Sequence, residues 1–313
     1  MAGKPTIAIV GAGAVGGYYG GRLAQHGRDV HFLLRGDYDA VRRQGLTVES
    51  CDGDFHIPAD EVNVYDDPRR MPKADLVVVT LKSTSNDQLD TLVRPLLKED
   101  TAVLTLQNGL GNEDLLAKLF GGERVLGGMA FVCINRVGPG VIRHTDHGII
   151  RIGEFARRGR SPRSGRIAAM FNASRVKCEV LDDLKHGRWQ KLLWNIPFNG
   201  LGATLDLTTD RLIGTEAGLQ LVRELIREVI AAARADGVTL PDELVEAQIS
   251  NTRTMGAYRS SMQVDRQQGR PLEVGAILGE PLRRAKAGGV ETPVLEALYR
   301  AAEVVDAAVT MPR

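Results

Sequence analysis

The 313-residue chain has little cysteine, almost no net charge and no long apolar run. Its three cysteines, Cys51, Cys133 and Cys178, stand far apart without a CxxC pair. A scattered odd set excludes a disulfide framework and reads as reduced thiols in a reducing compartment. Lys and Arg total 40 against 39 Asp and Glu, a formal net charge of +1. That balance gives no electrostatic reason to expect nucleic acid or an anionic membrane as partner. No apolar stretch approaches the roughly 20 residues that span a bilayer. The first strand begins almost at once, with no basic and apolar leader ahead of it. There is no internal repeat and no low-complexity tract. A globular, cytoplasmic protein of two ordinary domains is the expectation.

Glycine is abundant, at 35 residues, which suits many tight turns and close backbone approaches. The first 110 residues alternate short β-rich runs with helical patterns, the mark of a parallel sheet with crossover helices. Residues 6–10, 29–34, 76–81 and 102–106 read as strands, and 15–25 as a small-residue helix. Leu89, Leu92, Val93, Leu96 and Leu97 fit the spacing of a second helix. Residues 46–57 read as a hairpin around Asp52-Gly53. From Val125 to Gly153, apolar runs broken at Gly138-Pro139-Gly140 and Asp146-His147-Gly148 suggest antiparallel strands added to a sheet edge. A short helix (165–173) and a strand (176–180) follow. Beyond Asp182 the pattern is helical, with Leu219, Val222, Ile226, Val229, Ile230 and Ala233 on one long helix and 293–309 on another. The expected division is 1–181, an α/β domain, and 182–313, an all-α domain.

Gly11-Ala12-Gly13-Ala14-Val15-Gly16 lies directly between the first strand and the first helix. Gly11 permits the tight turn, Gly13 lets the backbone approach a pyrophosphate, and Gly16 lets helix and strand pack closely. The helix N-terminus at Ala14 and Val15 adds its partial positive charge. In this context the motif predicts a Rossmann dinucleotide site. An NAD enzyme usually places Asp or Glu at the end of the second strand; here Arg35 stands there, suited to a 2′-phosphate and hence to NADP. The alternative is a solvated Arg35, with Asp37 or Asp39 holding the ribose of NAD.

In the second domain Lys191, Asn195 and Asn199 are spaced i, i+4, i+8 and share one helix face. Pro197 removes a backbone donor and is expected to kink that helix. A cation and two amides beside a broken hydrogen-bond ladder suit a ligand site; the alternative is a solvated face.

Across nearly its whole length the chain resembles the ketopantoate reductases. The likeness runs through the glycine turn with Arg35, Thr80-Leu81-Lys82-Ser83, Gln107-Asn108-Gly109-Leu110-Gly111 and Ile152-Gly153-Glu154. It continues through Lys191 with its two asparagines, Ser260-Ser261-Met262 and Arg270-Pro271-Leu272-Glu273. The resemblance implies a Rossmann domain followed by a helical domain like the C-terminal one of 6-phosphogluconate dehydrogenase. It implies NADPH-dependent reduction of a 2-keto acid, 2-dehydropantoate to pantoate, on the route to pantothenate and coenzyme A. It makes Lys191 the general acid and Glu273 the carboxylate associated with it. Asn195, Asn199 and Ser261 would hold substrate, Asn108 the nicotinamide ribose and substrate, and Lys82 the cofactor phosphate and ribose. Many relatives carry an acid where this chain has Gly275, which opens the orientation of Glu273 and the choice of keto acid. A reductase of a different keto acid and a non-catalytic NADPH-binding regulator are the alternatives, and a homodimer is left open.

Other signals are set aside. His144-Thr145-Asp146-His147 falls in an expected turn with no third ligand nearby, so no metal is expected. His186, five residues before Lys191, faces away from it. Arg157, Arg158, Arg160, Arg163 and Arg166 read as a solvated basic loop.

Overall fold

A computed structural model describes residues 4–311. Ten strands form one sheet: β1 (Thr6–Val10), β2 (Asp29–Leu33), β3 (Leu46–Ser50), β4 (Phe55–Ile57), β5 (Asn63–Tyr65), β6 (Ala74–Val79), β7 (Leu97–Thr105), β8 (Val125–Gly138), β9 (Val141–Glu154) and β10 (Cys178–Val180). Their order is β4-β3-β9-β8-β7-β6-β1-β2-β5, with β10 paired to β9. The run β5-β2-β1-β6-β7-β8 is parallel throughout. Renumbered along the chain, it is the 3-2-1-4-5-6 order of a Rossmann sheet.

Residues on β1 alternate between two cores, which is why the strand is apolar throughout rather than at every second position. Ile7 and Ile9 join a cluster with Tyr18, Leu23 and Phe171. Ala8 and Val10 join the opposite cluster with Leu89, Val93 and Leu116. Helices Ala14–Gln25 and Pro162–Ala173 supply the first cluster, and Leu89–Val93 and Asn112–Phe120 the second. Ser161 caps Pro162–Ala173 by accepting from the Ser164 amide, which starts that helix three residues earlier than its apolar spacing suggests.

The 46–57 hairpin forms as β3 and β4, antiparallel, with Gly53 at φ +97°. Two expectations are corrected. The helix over Leu89–Leu97 stops at Val93, and Leu97 opens β7, because Pro95 cannot continue an α-helix. Asp146-His147-Gly148 does not reverse the chain. His147 (φ +61°) and Gly148 (φ +123°) form an irregularity inside β9, beside shifts in its register with β8. The same left-handed residues that make a turn also make a bulge.

The chain divides into two compact units. The first runs to Gln107 and resumes over Asn112–Leu184; the second comprises Asn108–Gly111 and the residues from Lys185 onward. The segment Asn108–Gly111 therefore packs with the helical unit, although it follows a strand of the sheet. In that unit, helix Glu216–Ala235 buries Leu219, Val222, Leu225, Ile226, Val229 and Ile230 along one stripe. Each such side chain contributes ~1.5–3 kcal/mol on leaving water. Helix Pro293–Thr310 packs on the same core through Leu295, Leu298 and Ala302. Among the described residues no helix is long and apolar enough to cross a membrane.

Candidate active site

In the first unit the sheet order reverses between β1 and β6. Gly11 follows β1 at φ +94°, and a Cβ on it would lie 2.7 Å from the Leu81 amide nitrogen. Both facts require glycine. Thr80 donates its hydroxyl to the Gly11 carbonyl at 2.7 Å, fixing the turn against the end of β6. A Cβ on Gly16 would stand 2.4 Å from Thr80 Oγ1 and 2.9 Å from Ile9 Cγ2, so this glycine serves helix–strand packing. Gly13 differs: among the described residues no atom beyond its own chain neighbours lies within 4 Å of a Cβ built there. The opening at Gly13, at the N-terminus of helix Ala14–Gln25, is a cradle that suits an anionic phosphate. Ala14 and Val15 form the first turn of that helix.

Arg35 is exposed just past β2, and among the described residues its guanidinium has no side-chain partner. Asp37 is buried, paired with Arg136 and accepting from the Gly140 amide at 3.2 Å. Its carboxylate is engaged on both oxygens with the sheet, while Asp39 is exposed. Lys82 is exposed immediately after β6 and Leu81.

A polar relay that sequence reasoning missed ends β7 in the same unit. Thr105 donates to Gln107 Oε1 at 3.0 Å, Gln107 Nε2 to Asn86 Oδ1 at 2.8 Å, and Asn86 Nδ2 to Asn112 Oδ1 at 3.0 Å. Gln107 and Asn112, the two residues flanking Asn108–Gly111, are buried in it.

In the second unit the central group is Lys191, near the end of helix Leu184–Trp194. Its Nζ donates to Asn108 Oδ1 at 2.9 Å. The short segment bearing Asn108 is clasped by backbone. Leu110 N donates to the Ala276 carbonyl at 2.9 Å, and Gly109, at φ +85°, leaves no room for a Cβ, which would lie 2.2 Å from that same oxygen. Ala276 sits in a π-turn, Gly275–Gly279, three residues after Glu273. Glu273 is buried, as is Arg188, one helical turn before Lys191.

These surroundings set the charge of Lys191. Burial first, then the Arg188 cation, lowers its pKa to about 7, and Glu273 opposes them by favouring the charged form. The residue as a whole is only partly buried.

The helix does not simply kink at Pro197. After Trp194 it widens into a π-turn, Asn195–Asn199, before resuming as Gly200–Leu205. A proline inside a π-turn needs no partner for a missing N–H, and such bulges are frequent at functional sites. Trp194 and Phe198 stack at 5.2 Å beneath it. Asn195 and Asn199 are both buried. Asn199 Oδ1 accepts from the Ser261 hydroxyl and from the Met262 amide, each at 3.1 Å. The sequence-expected set of Lys191, Asn108, Asn199 and Ser261 is thus joined in two hydrogen-bonded pairs within one unit. Arg188 and the Ala276 carbonyl are additions that periodicity does not reveal.

Two signals set aside earlier also change. Arg163 is not a solvated residue: it pairs with Glu154, which is buried and also accepts from Ser161. Ile152-Gly153-Glu154 is accordingly a structural anchor. His144 is buried in β9, with Cys51 and Asp52 beside it.

Comparison with known proteins fits this layout. The model of the family described as ketopantoate reductase PanE/ApbA matches residues 7–157, and that of the ketopantoate reductase PanE/ApbA C terminal matches 183–306. A 2-dehydropantoate 2-reductase of Nostoc sp. is 45% identical over 303 residues, covering 96% of this chain and 94% of the relative. The crystal structure of 2-dehydropantoate 2-reductase from Geobacter metallireducens has a TM-score of 0.93 at 46% identity, covering 96% of this chain and 99% of that one. A PanE/ApbA family ketopantoate reductase from Ralstonia eutropha has a TM-score of 0.89 at 32% identity, over 98% and 100%. With a Rossmann unit, a helical unit and matches along almost the whole length of both, the chain belongs to the ketopantoate reductase family.

Proposed function

We propose that this chain reduces the C2 ketone of 2-dehydropantoate to pantoate, with NADPH as reductant and Lys191 as proton donor. The observation that carries the reading is the state of Lys191, its pKa lowered to about 7 and its ammonium bonded to Asn108. Bound NADPH would supply the hydride that goes to C2. As that bond forms, the carbonyl π electrons move to oxygen, and Lys191 gives this oxygen a proton, leaving a secondary alcohol and a neutral amine. A cation at the developing oxyanion stabilises the transition state more than the ground state. A donor whose pKa lies near working pH transfers its proton more readily than an ordinary lysine.

The other residues hold and orient. Asn108 uses its carbonyl oxygen to aim the ammonium, one of whose three protons it takes. Glu273 keeps a fraction of Lys191 charged against burial and Arg188. Asn199 has its oxygen committed to Ser261 and Met262, so its amide nitrogen is the part that can address a substrate oxygen. Asn195 and Ser261 complete the substrate set. In the first unit the cradle of Gly11, Gly13, Ala14, Val15 and Gly16 suits the pyrophosphate, Lys82 the adjoining phosphate and ribose, and Arg35 the 2′-phosphate. Commitment of Asp37 to Arg136 favours NADP over NAD.

Purified protein given NADPH is expected to oxidise it on addition of 2-dehydropantoate, read at the nicotinamide absorbance, with pantoate as product. A panel of other 2-keto acids at saturating NADPH tests the substrate, since Gly275 is exposed and has open space where a side chain would lie. NADPH bound tightly but not oxidised with any 2-keto acid would overturn the reading.

A further inference from the structure

On the β3–β9 side of the sheet, against the helix Ala14–Gln25, whose Tyr18 ring lies 4.4 Å from that of His144, three side chains of different donor type meet. Cys51 Sγ, an Asp52 carboxylate oxygen and a ring nitrogen of His144 all lie within 4.8 Å of one another. The sheet makes this meeting: Ser50, at the end of β3, is in register with His144 on β9, and the Cys51 amide donates to the His144 carbonyl at 3.1 Å. The hairpin turn after β3 then carries Cys51 and Asp52 over the imidazole.

His144 is held as a ligand would be. Its Nε2 lies 3.0 Å from the Asp146 carbonyl oxygen and 3.1 Å from that of His147. Two carbonyl oxygens can only accept, so Nε2 carries the proton and Nδ1 presents its lone pair. The left-handed His147 and Gly148 bring those carbonyls round. Metal-bound histidines characteristically donate their other N–H to such an acceptor. Nδ1 now accepts from the Ser50 hydroxyl at 2.8 Å. Cys51 Sγ is 3.6 Å from Nδ1, and Asp52 Oδ2 is 4.0 Å from it. A sulfur at ~2.3 Å and a nitrogen at ~2.0 Å from a common tetrahedral ion would be about 3.5 Å apart. The Cys51–His144 spacing meets that requirement as it stands, and the exposed Asp52 carboxylate would have to close in on both from its present 4.0 Å to Nδ1.

We propose that Cys51, Asp52 and His144 bind one zinc-class divalent cation, with the fourth position open to solvent. A thiolate, an imidazole and a carboxylate form a donor set that zinc accepts. Binding releases the Cys51 thiol proton to solvent and forms the sulfur–metal bond in its place. The charges facing the site also favour a cation. Asp54, whose carboxylate accepts from the Ser50 amide, and Asp146 stand with Asp52 around it. Arg22, which donates to Ser50 Oγ at 2.8 Å, is the opposing cation. The ion would staple the β3–β4 hairpin to β9, so it would stabilise the fold.

The test uses reduced, metal-free full-length protein. Cobalt(II) titration should give a thiolate-to-metal charge-transfer band saturating at one equivalent, and zinc should raise Tm. Cys51→Ser should abolish the band although Cys133 and buried Cys178 remain in that variant, which assigns it to Cys51. Asp52→Asn should weaken zinc binding, measured by competition with a chromophoric chelator, by about ten- to a hundredfold. Both substitutions are at exposed positions, so a native Tm without metal shows that each variant folds. No band in the wild type, a band that survives Cys51→Ser, or zinc affinity unchanged in Asp52→Asn would each overturn the proposal.

Discussion

Lys191 Nζ donates to Asn108 Oδ1 at 2.9 Å across 83 positions of sequence, and the bond exists because the backbone around Ala276 clasps Gly109 and Leu110. If Lys191 is the proton donor, Lys191→Ala should lower kcat by about 10²–10⁴-fold while NADPH affinity, read by fluorescence titration, is retained. Asn108→Ala should lower kcat less, since the ammonium stays but loses its aim. Gly109→Ala should imitate Asn108→Ala, because a Cβ meets the Ala276 carbonyl. Near-full turnover in Lys191→Ala would remove the assignment.

The pH dependence of kcat/KM follows from the charge balance at this lysine. Reduction needs the protonated form, so activity should fall as pH rises through about 7. Arg188 lowers the value and Glu273 raises it. Arg188→Met should therefore move the falling limb to higher pH, and Glu273→Gln should move it to lower pH. Displacement of both variants in one direction would show that the limb belongs to another group.

Stability carries the same signature with a definite sign. The folded pKa of Lys191 lies below its ordinary 10.5, so between about 7 and 10.5 the unfolded chain binds more protons, and stability rises with pH across that window. Below about 7 both states are protonated and the burial penalty is at its full size. Lys191→Met, which cannot charge, should thus be more stable than the wild type at pH 6, with the gap closing towards pH 9. Above that, Cys178, pushed up to about 12 by burial, begins to act in the opposite sense. Denaturant midpoints measured for the two proteins from pH 6 to 9 check the convergence; a gap independent of pH would contradict a buried, charge-penalised lysine.

What the sequence showed and what it hid divide along locality. The glycine turn was legible because Gly11 and Gly16 are required by neighbours one strand away, and the Asp52-Gly53 hairpin because its turn chemistry is local. Asn108–Gly111 was expected with the sheet that precedes it. Its membership of the helical unit depends on Ala276, more than 160 residues later. Asp146-His147-Gly148 read as a turn because left-handed residues serve turns and bulges alike; only the register with β8 separates them. Arg188 escaped notice since a charged residue at helical spacing looks like a surface residue until its burial is known.

The proposed preference for NADP is argued from Arg35, exposed after β2, and from the pairing of Asp37 with Arg136. Arg35→Asp removes a charge-assisted partner worth about 1.5–3 kcal/mol and places a repulsive carboxylate where a 2′-phosphate would lie. The NADPH dissociation constant should rise at least tenfold, while that for NADH changes little. Equal loss of both dinucleotides would mean that Arg35 does not read the 2′ position.

The two inner glycines of the turn should fail in different ways when given a methyl group. At Gly16 the new Cβ meets Thr80 Oγ1 at 2.4 Å and the Gly11 carbonyl at 2.8 Å, an overpacking that costs about 1–3 kcal/mol. Gly16→Ala should therefore lower Tm in the absence of any ligand. At Gly13, among the described residues, no atom beyond its own chain neighbours stands within 4 Å of the new Cβ and φ is −73°, so alanine fits and the unliganded Tm should stay within a degree or so of the wild type. The methyl group would instead occupy the space through which the backbone amides reach a pyrophosphate. Gly13→Ala should thus weaken NADPH and NADH together, the reverse of the Arg35→Asp pattern, in a protein of native stability. Undiminished dinucleotide affinity in that variant would show that the opening at Gly13 is not where the phosphates bind.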